Sequence, residues 1–264
     1  ADVAQIDVNT TFALFFPEKR PFFQEGSDLF NTYFNAVYTR SINNPLAAAK
    51  LTWRSGSSSV AFLGARDENS ILILPFEEQS RFVEAGRSYS GILRVRRDLG
   101  RQSHLGLLGT SRIFDGGGMG AVAGLDGQIR FRHSNSLRFQ ALVSHTEEVD
   151  NPALVPDSTF NAGRFGDGYT AGLDGEDFRG HALMANLSRS TAGYWGSVRY
   201  SELSPTYRAD NGFEPQNNQR LAMANLGGIL RFEQSALLES LSAVSYTHLR
   251  AHETVLDLVC RLLL

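Results

Sequence analysis

Ala121-Val122-Ala123-Gly124-Leu125-Asp126-Gly127-Gln128-Ile129-Arg130-Phe131-Arg132 alternates along its whole length. Ala121, Ala123, Leu125, Gly127, Ile129 and Phe131 fall on one side, and Val122, Gly124, Asp126, Gln128, Arg130 and Arg132 on the other. Side chains of an extended chain point alternately to opposite faces, so this period of two marks a strand with one greasy and one wet face. The pattern recurs outward from there. Leu137, Phe139, Ala141 and Val143 oppose Arg138, Gln140, Leu142 and Ser144; Tyr194, Gly196, Val198 and Tyr200 oppose Trp195, Ser197, Arg199 and Ser201. Ala222, Ala224, Leu226, Gly228, Leu230 and Phe232 oppose Met223, Asn225, Gly227, Ile229 and Arg231.

Ten strands are expected, at roughly 47–54, 59–66, 87–97, 103–111, 120–132, 136–145, 179–189, 193–203, 221–232 and 236–244. Connections swap between tight (Ser55–Ser58, Asp98–Gln102, His133–Asn135, Ser190–Ala192, Glu233–Ser235) and longer (67–86, 112–119, 146–178, 204–220). A transmembrane barrel has short turns at one rim and long loops at the other, which is this alternation. A β-sandwich also alternates in polarity, but its strands are typically ~5 to 6 residues, whereas a tilted bilayer span needs ~9 to 11. The greasy face is also rich in Ala and Gly, which fill a core poorly and are tolerated against lipid. The expected fold is therefore all-β: an antiparallel transmembrane β-barrel, present as an incomplete fragment of about ten strands.

Composition narrows the classes. The net charge of -3 over 264 residues, with Lys and Arg scattered, excludes a nucleic-acid footprint. The single cysteine, Cys260, leaves no disulfide framework and no thiol nucleophile. No run of about 18 apolar residues reads as a membrane helix, and the start of the sequence does not read as a signal peptide.

Residues 1–45 differ in character, forming a plug-like or linker segment ahead of strands over 46–243. Aromatics are dense, Glu18, Lys19, Arg20 and Glu25 are interleaved with them, and Pro17 and Pro21 rule out a long helix or central strand. Leu14-Phe15-Phe16-Pro17-Glu18-Lys19-Arg20, with Phe22-Phe23 and Glu25, resembles the signature of a bacterial family known as domain of unknown function 5916. Tyr38-Thr39-Arg40-Ser41-Ile42, Ala49-Lys50-Leu51-Thr52 and Asn211-Gly212-Phe213-Glu214-Pro215 match further, so the resemblance spans roughly residues 6 to 243. Such members carry a carbohydrate-binding module like that of xylanases, then an outer-membrane barrel. The resemblance thus implies a bacterial outer-membrane location, a bilayer as partner, and a glycan or other small solute as ligand. It departs from the pattern in two ways: the upstream module is not in this sequence, and Gln24 stands where leucine is usual. Residues 244–264 resemble translated sequencing-adapter read-through and are expected to be a non-native tail outside the fold.

Three constellations compete for function. Glu18, Lys19, Arg20 and Glu25, set among Phe15, Phe16, Phe22 and Phe23, read either as a gate in the barrel interior or as a clasp holding the segment to its wall. Arg94, Arg96, Asp126, Arg130, Arg132, Arg138 and Arg199 form an expected lumenal row, either favouring anionic solutes or pairing with neighbouring carboxylates. The acidic loop with Asp150, Asp157, Asp167, Asp174, Glu176 and Asp177 reads either as a binder of calcium or a glycan, since hard cations take oxygen ligands and sugars stack on aromatics, or as a solvated external loop, and the lack of a twelve-residue calcium pattern favours the second. His248, His252 and Glu253 lack the zincin glutamate position, so no metal site and no cofactor are assigned. His104, His133, His145 and His181 accompany no nucleophile elbow, and no catalytic residue is assigned. The expected function is passage or capture of a solute by an envelope barrel, with a glycan hydrolase or a structural membrane anchor as alternatives.

Overall fold

Alternation becomes pairing in the computed structural model, which describes residues 13–100, 102–156, 163–231, 240–250 and 259–263. The strands are β1 (Pro45–Ser55), β2 (Ser58–Asp67), β3 (Ile71–Pro75), β4 (Ser80–Glu84), β5 (Ser88–Gly100), β6 (Ser103–Phe114), β7 (Met119–Phe131) and β8 (Asn135–Glu147). They continue as β9 (Arg164–Phe165), β10 (Tyr169–Thr170), β11 (Asp177–Ser190), β12 (Tyr194–Leu203), β13 (Gln219–Arg231), β14 (Ser240–Arg250) and β15 (Val259–Leu263). One antiparallel sheet takes them in the order β1-β2-β5-β6-β7-β8-β11-β12-β13-β14-β15, each long strand beside its neighbour in sequence. Two small hairpins, β3-β4 and β9-β10, stand in the long connections. The ten expected strands each correspond to one long strand of this sheet. The sheet is not closed: β1 pairs with β2, β15 with β14, and β1 and β15 are not joined.

Turn chemistry sets the tight ends. Gly56 and Gly100 take positive φ between β1-β2 and β5-β6, a conformation that costs glycine nothing. Arg132 and His133 do so between β7 and β8, at φ 46° and 56°.

Three expectations are corrected. Arg132 is a turn residue and not the end of a strand face, because β7 stops at Phe131. The connection expected at 112–119 shrinks to residues 115–118, since Gly117 and Gly118 at φ 89° and 83° let β6 run to Phe114. β14 continues past Val244 to Arg250, pairing Leu221 with Arg250, so part of the segment expected to lie outside the fold is a sheet strand. The bare edge of β13 offers backbone groups that any extended chain can satisfy, whatever its side chains. The expected turn at Glu233–Ser235, the first residues of the strand expected at 236–244, Asp157, His252 and Glu253 lie outside the described residues.

The two faces of the sheet are opposite in kind. One is bare and apolar: Leu51, Phe62, Leu93, Leu107, Leu125, Val143, Leu187, Val198 and Leu226 stand exposed along it, Val143 at 61% and Leu125 at 46%. The register carries this ladder from strand to strand, through Leu51↔Phe62, Phe62↔Leu93, Leu107↔Leu125 and Leu187↔Val198. The other face is covered. Ala61, Leu63, Ile92, Leu108, Val122, Leu142, Ala182 and Met184 form a core with Phe23, Leu29, Phe30, Phe34, Ala36 and Ile42 of the N-terminal segment and Tyr207 and Ala209 of the β12-β13 connection. Each such phenylalanine contributes roughly 1.5 to 3 kcal/mol through burial. A second core joins the β3-β4 hairpin to the β8-β11 connection through Leu72, Leu74, Val83, Phe114, Val149, Val155, Ala171 and Leu173. It sits where the long connections leave the sheet.

Candidate functional site

The covered face holds buried charge. Arg94 on β5 reaches over β6 to Asp126 on β7, with Nη2 donating to Oδ1 at 2.9 Å, Nη1 donating to Oδ2, and Nε donating to the Leu29 carbonyl at 2.9 Å. Gly106 makes this crossing feasible, since a Cβ there would meet the guanidinium at 2.5 Å. Arg112, fully buried, donates to Ser90 Oγ (3.1 Å), the Ile71 carbonyl (3.3 Å) and Ser41 Oγ (3.0 Å), so it grips strand, hairpin and segment together. Arg208, from the β12-β13 connection, donates to Asp210 Oδ1 at 2.8 Å and Glu148 Oε1 at 2.9 Å. Burial, helped by nearby Glu176 and Asp174, lifts the Glu148 carboxyl to about 7 against the pull of Arg208.

The segment is fastened at many points. Two prolines break it into short pieces, and Pro21 opens the single helical turn Pro21–Gln24, where its fixed φ suits the first position. Glu18 accepts from Arg20 Nε (2.9 Å) and Nη2 (2.8 Å) and from Thr39 Oγ1 (2.6 Å). Arg20 Nη1 in turn reaches the Ile42 carbonyl at 2.8 Å, and its guanidinium lies 4.2 Å from the Phe23 ring centre. Burial pushes the Glu18 carboxyl up, but these hydrogen bonds outweigh it and hold the group at about 2. Lys50 on β1 donates to the Glu25 carbonyl at 2.7 Å and to the Phe22 carbonyl, and Arg54 donates to Asp28 at 2.9 and 2.7 Å. Phe34 N donates to Gln140 Oε1 at 2.8 Å, and Asn43 N and Asn44 N donate to Asp67 at 3.0 and 2.7 Å.

Residues 35–38 and the stretch Asn211–Pro215 touch one another. Tyr38 N donates to the Asn211 carbonyl (2.7 Å), Phe213 N to the Asn35 carbonyl (2.7 Å), and Asn35 N to Glu214 Oε1 (2.6 Å). Phe15, Tyr38 and Phe213 stack mutually at 5.0 to 5.3 Å between ring centres. Gly212 is required there, because a Cβ would lie 2.3 Å from the Asn35 carbonyl.

Of the first constellation, Glu18 and Arg20 meet, Phe23 is buried in the core, and Glu25 lies 3.8 Å from Lys50. Phe22 stacks on Phe23 and faces Lys50, Phe16 is tied through its backbone to the Tyr38 hydroxyl, and Lys19 is exposed. Of the second, Arg94, Arg96, Asp126, Arg130, Arg138 and Arg199 share the parity of the covered face. They do not form one basic row, because each is engaged separately: Arg94 with Asp126, Arg96 with Asp98, Arg130 with Gln102, Arg138 with Gln128, and Arg199 against the Tyr33 ring. Arg112 escaped the sequence reading because the strand expected at 103–111 ended one residue short of it, although it shares the parity of Leu108 and Thr110. Lys50 stood in the matched stretch Ala49–Thr52, which gave no sign of its partners, and Arg208 and Glu148 gave no local sign of theirs.

Several buried polar atoms on this face have no protein partner: Gln140 Nε2, Thr146 Oγ1, Glu148 Oε2, Tyr207 Oη, Arg208 Nη2, Asp210 Oδ2 and Asn211 Oδ1. They run along β8 and the facing β12-β13 connection. Among the described residues, Glu148-Asp174-Glu176 and His145-Glu147-Asp177 each bring three side-chain ligand atoms within 4.8 Å of one another. No family model, curated protein or solved structure matches this chain.

Proposed function

We propose that the chain forms part of an outer-membrane β-barrel whose interior is occupied by the N-terminal segment, and that the protein captures or passes a small solute along that interior. The observation that carries this reading is that large apolar side chains stand bare on one face of the sheet, while the opposite face is covered and holds buried arginines and carboxylates beside its apolar core. Water-soluble sheets cover their apolar face, whereas a membrane barrel turns it to lipid. Among the described residues no helix is long and apolar enough to cross a membrane, which says nothing against strands as spanning elements.

The density of fastenings on the segment favours a second reading, a structural anchor for an upstream domain. Carbohydrate as the solute rests on the family resemblance alone.

The test is to refold the protein in detergent, compare gel mobility with and without boiling, and record single-channel conductance. A heat-modifiable band with conductance blocked by a sugar is the expected result. A heat-modifiable but silent protein would favour the anchor, and a protein soluble without detergent would overturn the membrane reading.

A further inference from the structure

The arginines of the covered face are of two kinds. Arg94 is met by Asp126 and Arg96 by Asp98, so each of these charges faces a carboxylate. Arg130, Arg138 and Arg199 engage neutral groups instead. Arg130 Nη1 donates to Gln102 Oε1, Arg138 Nη2 donates to Gln128 Oε1 at 3.2 Å, and the Arg199 guanidinium lies 5.5 Å from the Tyr33 ring centre. Among the described residues no carboxylate stands within ion-pair distance of any of the three, and their guanidinium groups make only the two side-chain hydrogen bonds just given.

The register gathers these three charges at the tight-turn end of the sheet. Asn186 on β11 pairs with Arg138 on one side and Arg199 on the other, which sets those two backbones two strand spacings, ~10 Å, apart. Gln128 continues this row beyond Arg138. The next row toward the tight turns runs from Arg130 through Ser136, Ser188 and Ser197 to Asn225, so Arg130 is the diagonal neighbour of Arg138. Its neutral side chains satisfy one another: Ser136 Oγ and Ser188 Oγ lie 2.8 Å apart, and Asn225 Nδ2 donates to Ser197 Oγ at 2.7 Å. Two adjacent rows thus hold three positive charges and no negative one. The N-terminal segment stops at their edge, with Phe34 held by Gln140, two residues along β8 from Arg138, and Tyr33 against Arg199; Arg130 and Arg138 are exposed beyond it.

We propose that Arg130, Arg138 and Arg199 form a binding site for a small solute carrying two or more carboxylate or phosphate groups. A guanidinium presents several N–H donors in a planar fork that matches either oxyanion, and most of these donors are uncommitted here. Like charges on a low-dielectric wall focus a positive field, and anion pores are lined in this way. The site names the class of solute for the interior described above and rests on that reading of the covered face. Asp98 and Asp126, the carboxylates of the neighbouring strands, do not oppose an anion, because each is already neutralised by its own arginine.

Isothermal titration of the full chain, refolded in detergent, with sodium citrate and separately with sodium pyrophosphate decides it. The expected result is one saturable site for at least one of the two probes, weakened about tenfold in R138Q and in R199Q, the loss of one charge-assisted hydrogen bond. R189Q removes an arginine at the same end of the sheet but on the bare face, and should leave the affinity unchanged. Heat-modifiable gel mobility checks that each variant is folded. Flat titrations with both probes in a folded wild-type chain overturn the proposal while leaving the membrane reading standing, as does unchanged affinity in folded R138Q and R199Q or an equal loss in R189Q. A chain soluble without detergent overturns the membrane reading instead, and the citrate and pyrophosphate titrations then decide the arginine site by themselves.

Discussion

Replacing Asp126 with asparagine asks whether the interior of the sheet is dry. Asp126 and Arg94 have side chains 11% and 2% exposed and share two hydrogen bonds, with the Leu29 carbonyl a further acceptor to the guanidinium. D126N removes the charge but leaves Arg94 where it is, under Leu29 and opposite Gly106. Breaking a buried pair in this way costs about 3 to 5 kcal/mol, whereas a solvated pair is worth about 0.2 to 1 kcal/mol. With a urea dependence near ~2 kcal/mol per molar, the larger cost lowers the unfolding midpoint by roughly 1.5 to 2.5 M. The assay is urea unfolding in detergent followed by tryptophan fluorescence, with the double variant R94M/D126L beside it. That pair removes both charges and is expected to recover most of the loss, since apolar replacement of a buried pair is often neutral or better. A D126N penalty below about 1 kcal/mol would refute the reasoning: it would mean water screens the pair and that the space under the segment is wet at this depth.

Two further outcomes test other levels of the argument. V143R places a charge on the bare face at a position 61% exposed; it should cost about 2 to 4 kcal/mol if that face meets lipid but stay within about 0.5 kcal/mol if it meets water, as read by refolding in micelles. Glu18 is held at about 2, below the ordinary carboxylate value of ~4.3, so its contribution is complete above that value and fades as pH falls toward 2. Pepsin cleavage of the 13–44 segment should therefore rise on going from pH 4 to pH 2 in the wild type, while E18Q should be cleaved readily at both; identical profiles would remove Glu18 as the fastening.

Much of the fold was written locally. Period-two polarity needs no knowledge of distant residues, because a strand is amphipathic by its own geometry, and Ala121 to Phe131 announced both faces before any partner strand was known. The segment from Pro17 to Phe30 likewise declared itself as something other than a strand through its prolines and aromatics. Strand ends were less legible. Gly117 and Gly118 extended β6 enough to bring Arg112 onto the covered face, and Arg132 left its strand for a turn, since local backbone conformation decides by a residue or two where alternation stops.

The sequence by itself determined an antiparallel, amphipathic sheet with a distinct aromatic segment ahead of it. Only the tertiary structure decided what that sheet's polar face holds. Arg94 finds Asp126 across a glycine on the strand between, Lys50 and Arg54 reach back to the segment, and Glu148 meets Asp174 and Glu176 across a long connection. Alternation tells which way a side chain points, and it carries no information about what stands opposite. That depends on register, on which positions lack a side chain, and on chain segments far away in sequence, and those are fixed only when the strands pair and the segment packs beneath them.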